Sequence, residues 1–334
     1  MKTTLNDIAD KTGLSVSTIS RVLRGESKTN SKNVDTVLQA AEELNYQFNS
    51  RLLNSVYNFK KTLHIALISD IHVGEFYSSL FHGLEQAAKE KDAILGLYNI
   101  EEDTDEVISL IKHLSKNNID AGILFLPSLK EDDYVKILEE TPKDFVLVSG
   151  ASVFHPVLDT VNFDSYRGGY LTAKLFHEQG YDQLGMITGP TDRHEALLRK
   201  SGFEDYIDHR SEMQMVWEFE GDYTYESGKI AYHAFRASRK KPRAIFSSND
   251  YMALGFIEEA LRDGIRIPED IAISGFDNLP ICDILEPGLS SINTDFKELG
   301  RTLLKLIDDK FKKNESHRGV SSIIPVEMVT RNSS

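Results

Sequence analysis

Cysteine is almost absent: Cys282 is the only one among 334 residues. It can form neither an internal disulfide nor a thiolate metal cluster, and no His-x-x-x-His pair offers a substitute, so neither a structural metal nor a metal cofactor is expected. Long apolar runs are missing as well. No stretch approaches the roughly 18 residues a membrane helix needs, and Met1-Lys2-Thr3-Thr4 leads into polar helix rather than an apolar signal core, so the expected location is the cytoplasm, with no membrane partner. With 9 Pro, 21 Gly, 40% hydrophobic and 27% charged residues, the composition excludes collagen-like, fibrous and disordered chains. At about 100–200 residues per domain, this length implies two or three compact units.

Positive charge is scarce overall, and a net charge of −14 argues at first against nucleic acid. The average hides an asymmetry. Residues 1–61 hold nine Lys and Arg against six Asp and Glu, a net +3, which leaves −17 on the remainder. A mildly basic head on a strongly acidic body is the pattern expected if only the head touches DNA.

The head reads as three short helices. Leu5, Ile8 and Ala9 recur at helical spacing up to Gly13, Ser15 stands as an N-cap before Val16–Leu23, and Ser31 can cap a third helix carrying Val34, Val37, Leu38, Ala41 and Leu44. Residues 45–61 show neither strand alternation nor a long helical stripe and read as a connector with one short helix near 50–56. From Leu63 onward, apolar runs of strand length (63–68, 94–98, 121–126, 145–148, 184–187, 244–246, 271–274) alternate with amphipathic helical stretches (77–89, 105–116, 168–179, 225–237, 252–263). Continuous apolar strands separated by helices mean parallel sheets covered on both faces, and two such sheets fit in the remaining length.

A recognition helix needs small or polar side chains on its exposed first turns and an apolar inner face. The segment Val16-Ser17-Thr18-Ile19-Ser20-Arg21 has that division, with Ile19 and Val22 inward and Ser17, Thr18, Ser20 and Arg21 available to DNA. In the body, the residues just after the strands are the ones to inspect, because ligands bind at the carboxyl ends of open parallel sheets. They are Asp70 with Phe76 and Tyr77, Ser128, Ser149, Asp164, Arg193 and Arg199, Tyr223, Asn249 and Asp250, Asp277, and Phe296. Aromatic faces mixed with Asp, Asn and Arg suit a sugar, although Asp250 can equally cap the helix that follows it.

Three head segments, Thr4-Leu5-Asn6-Asp7-Ile8-Ala9, Gly13 through Leu23 and Ala40 through Tyr46, resemble the headpiece of the lactose/galactose repressor (LacI/GalR) family, and the likeness runs in order along the whole chain. It implies an all-α helix-turn-helix headpiece over 1–48, a hinge helix over 49–61 and an effector-binding, dimerising core over 62–334 of two doubly wound parallel-sheet lobes, periplasmic-binding-protein-like. The implied first lobe spans about 62–160 and 293–321, the second 161–292 and 322–334. Val16 and Ser17 would choose the base sequence and Arg21 would reach base edges or phosphate. Ser15, Thr18 and Ser20 would hold the DNA backbone, with Thr4 and Asn45 completing the set. In the hinge, Phe48 stands where the family usually has proline and Ser55 falls at the position of a minor-groove leucine wedge, so either Leu52 or Leu53 inserts instead, or the operator is bent less, or the two leucines serve only the dimeric hinge.

The resemblance sharpens the core positions. Gly189-Pro190-Thr191-Asp192-Arg193 and the stretch around Arg199 are similar to the segment that supplies effector-binding arginines, Tyr223 to a stacking aromatic, and Asn249 and Asp277 to ligand hydrogen-bonding positions. Thr294-Asp295-Phe296 is similar to the crossover that brings an aromatic under the ligand. An enzyme is not indicated: there is no Walker loop, no G-x-S-x-G elbow, no His-Glu-x-x-His and no dinucleotide fingerprint after the first strand. A transport solute-binding protein uses the same core but lacks such a head. The expectation is a homodimeric repressor of double-stranded operator DNA, controlled by a small molecule. A sugar is the first candidate, and a sugar phosphate, sugar acid, purine or protein co-regulator is the alternative.

Overall fold

The structure, a computed structural model, describes residues 3–25, 31–46, 62–151, 153–312 and 319–334. The expected hinge, with Leu52, Leu53 and Ser55, lies outside the described residues.

The head contains α1 (Leu5–Thr12), α2 (Val16–Leu23) and α3 (Ser31–Glu43). Thr4 starts α1 through a capping box: its backbone N–H donates to the Asp7 carboxylate at 2.7 Å, and its hydroxyl accepts the Asp7 N–H at 3.4 Å. Gly13, at φ 68°, ends the helix by donating its N–H to the Ala9 carbonyl at 2.8 Å. Ile8, Ile19, Val22, Val34, Val37 and Leu38 are fully buried together, so the apolar stripes of three short helices close into one small core.

The body has two six-stranded sheets. The first, in the order β11-β5-β4-β3-β1-β2, contains β1 (His64–Ser69), β2 (Ile94–Asn99), β3 (Ala121–Phe125), β4 (Val146–Ser149), β5 (Thr160–Phe163) and β11 (Ser321–Ile324). The helices of this lobe are α4 (Glu75–Glu90), α5 (Thr104–Lys116), α6 (Glu131–Glu140) and α12 (Phe296–Lys312). The second sheet, in the order β12-β10-β9-β8-β6-β7, contains β6 (Gln183–Thr188), β7 (Gln214–Glu220), β8 (Ala244–Ser247), β9 (Ala272–Asp277), β10 (Ser290–Asn293) and β12 (Glu327–Val329). With it go α7 (Ser165–Glu178), α8 (His194–Asp208), α9 (Tyr225–Ala237), α10 (Asp250–Arg262) and the short α11 (Ile281–Ile284). All pairings are parallel except β10 with β12, which adds an antiparallel edge to the second sheet.

In each lobe the strand order reverses after the first strand, between β1 and β3 and again between β6 and β8, which opens a crevice at the carboxyl ends of those strands. The chain passes between the sheets three times, after β5, after β10 and after β11. The first lobe reaches three residues beyond each expected limit, to Phe163 and Ile324. Thr160–Phe163 and Ser321–Ile324 pair residue for residue, so the two extensions are one feature.

Contact between backbones fixes α8. A methyl group at Gly169 would lie 1.9 Å from the Arg199 carbonyl oxygen, and one at Gly202 would lie 1.9 Å from that of Tyr166. Only glycine allows α7 and α8 to pack this closely, and the packing sets the position of Arg199.

Candidate functional site

On the head, α2 presents the residues expected to meet DNA. Ser15 accepts the Thr18 N–H at 3.2 Å and lies 2.8 Å from the Thr18 hydroxyl and 3.0 Å from that of Ser17, so its cap also orders the hydroxyl cluster on the first turn. Val16, Ser17 and Arg21 are exposed, Thr18 and Ser20 are half-buried, and Arg21 Nε donates to the Ser17 carbonyl at 3.3 Å. Thr4 and Asn45 are exposed, Asn45 in a left-handed turn at φ 50° just past α3. An exposed apolar Val16 amid hydroxyls and a guanidinium is a surface that can meet base edges, with donors flanking it for phosphate.

In the body, the two lobes face each other through the loops after their strands. From the first lobe, Phe76 packs edge-on against Tyr77 and Phe296, each with ring centroids 5.4 Å apart, and tilted on Phe125 at 5.7 Å. Phe296 also meets Phe163 edge-on at 5.7 Å, so the crossover after β10 carries an aromatic into this wall. Asp70 follows β1, with its carboxylate 3.5 Å from His72. Ser128 follows β3 and donates its N–H to Glu102 at 2.5 Å, and Glu102 in turn lies 4.0 Å from Arg193 of the second lobe. His194 packs at a tilt on Phe154 across the same gap, with centroids 4.0 Å apart.

Arg199 anchors the second lobe's side. It is 7% exposed, its guanidinium sits 3.6 Å from the Phe276 ring centroid and 5.9 Å from that of Tyr223, and it donates Nη1–H to the Ser248 carbonyl. Its Nη2 lies 3.7 Å from the Asp277 carboxylate, which is itself 5% exposed. Three non-glycine residues here have positive φ: Tyr223 at 70°, Asp277 at 109° and Asn278 at 52°. They are held from outside. Asn249 Nδ2 donates to the Tyr223 carbonyl at 2.8 Å, Thr294 donates its hydroxyl to the Asp277 carbonyl at 3.0 Å, and Arg331 donates to Asn278 Oδ1 at 2.8 Å.

Several polar atoms at this junction are buried and have no hydrogen-bond partner among the described residues: Arg193 Nη1, Glu195 Oε2, Arg199 Nε, the Tyr223 hydroxyl, Ser69 Oγ and Ser248 Oγ. Such atoms are rare in folded proteins, and their concentration at the carboxyl ends of both sheets is what a polar ligand would satisfy. Burial pushes the Glu195, Asp277 and Glu102 carboxyls up, with Arg199 pulling the first two back. Burial, helped by Glu102 and Asp70, pushes the Tyr77 phenol up to about 12.

Not every expected residue faces this gap. Asp250 is fully buried and accepts the Leu279 N–H at 2.8 Å and the Ser291 hydroxyl at 2.6 Å, so it ties α10 to β9 and β10. The cap of α10 is Asn249, whose Oδ1 accepts the Met252 N–H at 2.9 Å. Both amide atoms of Asn249 are thus engaged within the chain. Asp164 caps α7 through the Arg167 N–H at 2.9 Å, and Ser149 is buried against neighbouring carbonyls. Sequence reasoning missed Glu195 and Glu102. The signal for Glu195 was its place one turn before Arg199 on the same helix face.

Residues 4–49 match the family model described as bacterial regulatory proteins, lacI family, and residues 173–334 match that of a periplasmic binding protein-like domain. Similar sequences include the HTH-type transcriptional repressor PurR of Aliivibrio fischeri, 27% identical over 99% of this chain and 98% of the relative. The NTD biosynthesis operon regulator NtdR of Bacillus subtilis is 26% identical over 99% of each chain. Among solved structures, the lac repressor dimer bound to operator and the anti-inducer ONPF superposes with a TM-score of 0.73 at 24% identity, covering 100% of this chain and 99% of that one. The transcriptional regulator CelR in complex with cellobiose gives 0.70 at 24%, covering 99% and 100%. Head and body together define a DNA-binding transcriptional regulator, not an enzyme, built from a helix-turn-helix and a two-lobed binding core. The head carries a helix-turn-helix domain of the lacI family of bacterial regulatory proteins, and the body carries a periplasmic-binding-protein-like domain.

Proposed function

We propose that this regulator is a cytoplasmic, homodimeric repressor whose hold on a near-palindromic operator is set by a small molecule between its lobes. A dimer offers two α2 helices to successive major grooves, and a ligand acts only as far as it binds two lobe arrangements with different affinity. The observation that carries the reading is the cluster of unpartnered buried atoms on Arg193, Glu195, Arg199 and Tyr223, opposite the Phe76–Phe296 wall. An apolar ring face beside donors and acceptors matches a sugar, with C–H faces for the aromatics and hydroxyls for the polar atoms. A purine is the second reading, because an arginine beside a carboxylate also offers a donor and an acceptor to a base edge.

The test is a thermal-shift screen of the full chain against sugars, sugar phosphates, sugar acids and purines, followed by operator binding with each hit. A sugar that raises the melting temperature and changes operator affinity supports the reading. A ligand that shifts melting without moving operator affinity overturns the regulatory role.

A further inference from the structure

The turn that carries the Asp277 carboxylate also carries a contact to the other lobe. Asp277 closes β9 and faces Arg199 at 3.7 Å, whereas Ile281 opens α11 and donates its N–H to the Glu75 carboxylate of the first lobe at 2.9 Å. Only three residues separate them, and Asp277 at φ 109° and Asn278 at φ 52° both have left-handed backbone. Such a backbone persists only where its surroundings over-determine it. The far half of the turn is stiffened by Pro280, whose ring fixes its own φ, and by Leu279, whose N–H donates to the buried Asp250 at 2.8 Å.

Arg331, just past β12, braces the near half. Its guanidinium donates to Asn278 Oδ1 at 2.8 Å, to the Leu289 carbonyl at 2.7 Å and to Asp283 of α11 at 2.7 Å, and its backbone N–H donates to Ser290 Oγ at 2.8 Å. Asn278 passes the brace on. Its N–H donates to Ser291 Oγ at 3.0 Å and its Nδ2 to Asn293 Oδ1 at 2.9 Å, and Asn293 is the last residue of β10 before the chain crosses to the first lobe. A planar guanidinium that bonds both Asn278 and α11 takes away the freedom by which Asp277 could shift without Ile281. Resting on the reading of this cleft as the effector site, we propose that Arg331 is a positioning residue that locks the 277–281 turn into a rigid link. The seating of Asp277 in the cleft and the grip of Ile281 on Glu75 then change together, which is what coupling between an effector and a lobe arrangement requires.

Hydrogen exchange of the unliganded full chain, resolved to single amides by mass spectrometry, tests the link. The N–H groups of Glu75 and Ile281 open their helices, so neither has an acceptor within its own helix, and their protection comes from the Tyr251 hydroxyl and the Glu75 carboxylate across the lobes. Arg331→Met keeps a long side chain and removes every guanidinium donor. Both amides should then exchange roughly tenfold faster, while those of Met186 and Phe246 inside β6 and β8 keep their rates. Faster exchange at Ile281 with Glu75 unchanged would confine Arg331 to local packing and overturn the proposal, as would unchanged rates at both. Where Arg331→Met fails to fold, or loosens β6 and β8 equally, Asn278→Gly carries the test with the same outcomes. Glycine permits the left-handed backbone and removes both side-chain bonds of Asn278, so it should release the same two amides. No ligand is present, so a blank effector screen leaves this outcome untouched, and failure of the link leaves the effector site standing.

Discussion

Glu75 of the first lobe holds the second at two points: its backbone N–H donates to the Tyr251 hydroxyl at 3.1 Å, and its carboxylate accepts the Ile281 N–H at 2.9 Å. Gly74 lies against the same tyrosine, where a side-chain methyl would meet the ring at 3.3 Å. This clasp joins α4 to α10 and α11 outside the cluster of unpartnered atoms. Tyr251→Phe removes one of the two bonds, worth about 1 kcal/mol. Effector affinity should fall by up to about fivefold through a smaller population of the lobe arrangement that Glu75 holds, with every ligand in a series weakened by the same factor. Titration of several related ligands checks this; a factor that varies from ligand to ligand would mean Tyr251 touches them directly.

Arg199 and Asp277 form a buried pair, so removing one charge strands the other. Arg199→Ala should destabilise the protein by about 3–5 kcal/mol in urea unfolding at pH 7.5. The loss should shrink on acidification, because burial holds the Asp277 carboxyl well above its ordinary range and it can take up a proton. Adding Asp277→Asn to Arg199→Ala should recover part of the stability. A double variant as unstable as the sum of the two single ones would show that the charges do not interact.

Asp250 sets a pH dependence of unusual sign. Burial raises its carboxyl to about 6, against an ordinary value near 3.8, so the folded state binds the proton more tightly than the unfolded chain does. The group therefore costs stability above pH 6, and that cost is relieved as pH falls from about 6 toward 4. Exposed carboxylates such as Glu90 and Asp270, held at about 2 by hydrogen bonds from Arg301 and Arg266, act in the opposite direction and lose their contribution only below about pH 4. Unfolding free energies at pH 7.5, 6 and 5 should show Asp250→Asn flattening the gain seen in the parent protein. An unchanged profile would remove Asp250 as its source.

On the head, Arg21 is exposed and, among the described residues, tethered only to the Ser17 carbonyl. Operator binding, measured on a palindromic fragment from upstream of the protein's own gene, should weaken steeply with salt. Arg21→Ala should lower the log–log slope by about 1 if the residue meets phosphate. An unchanged slope with altered base preference would assign Arg21 to base edges instead.

Of the seven strands read from sequence, all but the edge strand β2 are interior ones. His64–Ser69, Ala121–Phe125 and Ala244–Ser247 are flanked on both sides and carry unbroken apolar runs. Strand β7 escaped because it lies at an edge and mixes Gln214, Glu218 and Glu220 with Trp217. Helix α8 escaped for another reason: its buried face includes Arg199 and the close-packing Gly202, so burial there is not written in hydrophobic residues. At the cleft, Arg193, Arg199, Tyr223, Asp277 and Phe296 could be picked out because they follow strand ends, whereas Glu102 meets Ser128 and Arg193, and Glu195 lies near Tyr223, neighbours distant in sequence that no local pattern records. Asp250 has the same sequence signature as a cleft residue, and its fate was decided by two distant donors, Leu279 in the turn after β9 and Ser291 on β10.

The three passages of the chain between the sheets bear on how such a protein can be recombined. The head is one uninterrupted stretch of sequence, so a single splice exchanges it for another and changes the DNA address. Each lobe is assembled from separated stretches: Thr160–Phe163 pairs with Ser321–Ile324 on one side, and Ser291–Asn293 pairs with Glu327–Val329 on the other. No single splice can transplant a lobe. Grafts that respect this weave would keep the two lobes as an inseparable sensor module and vary only the address in front of it.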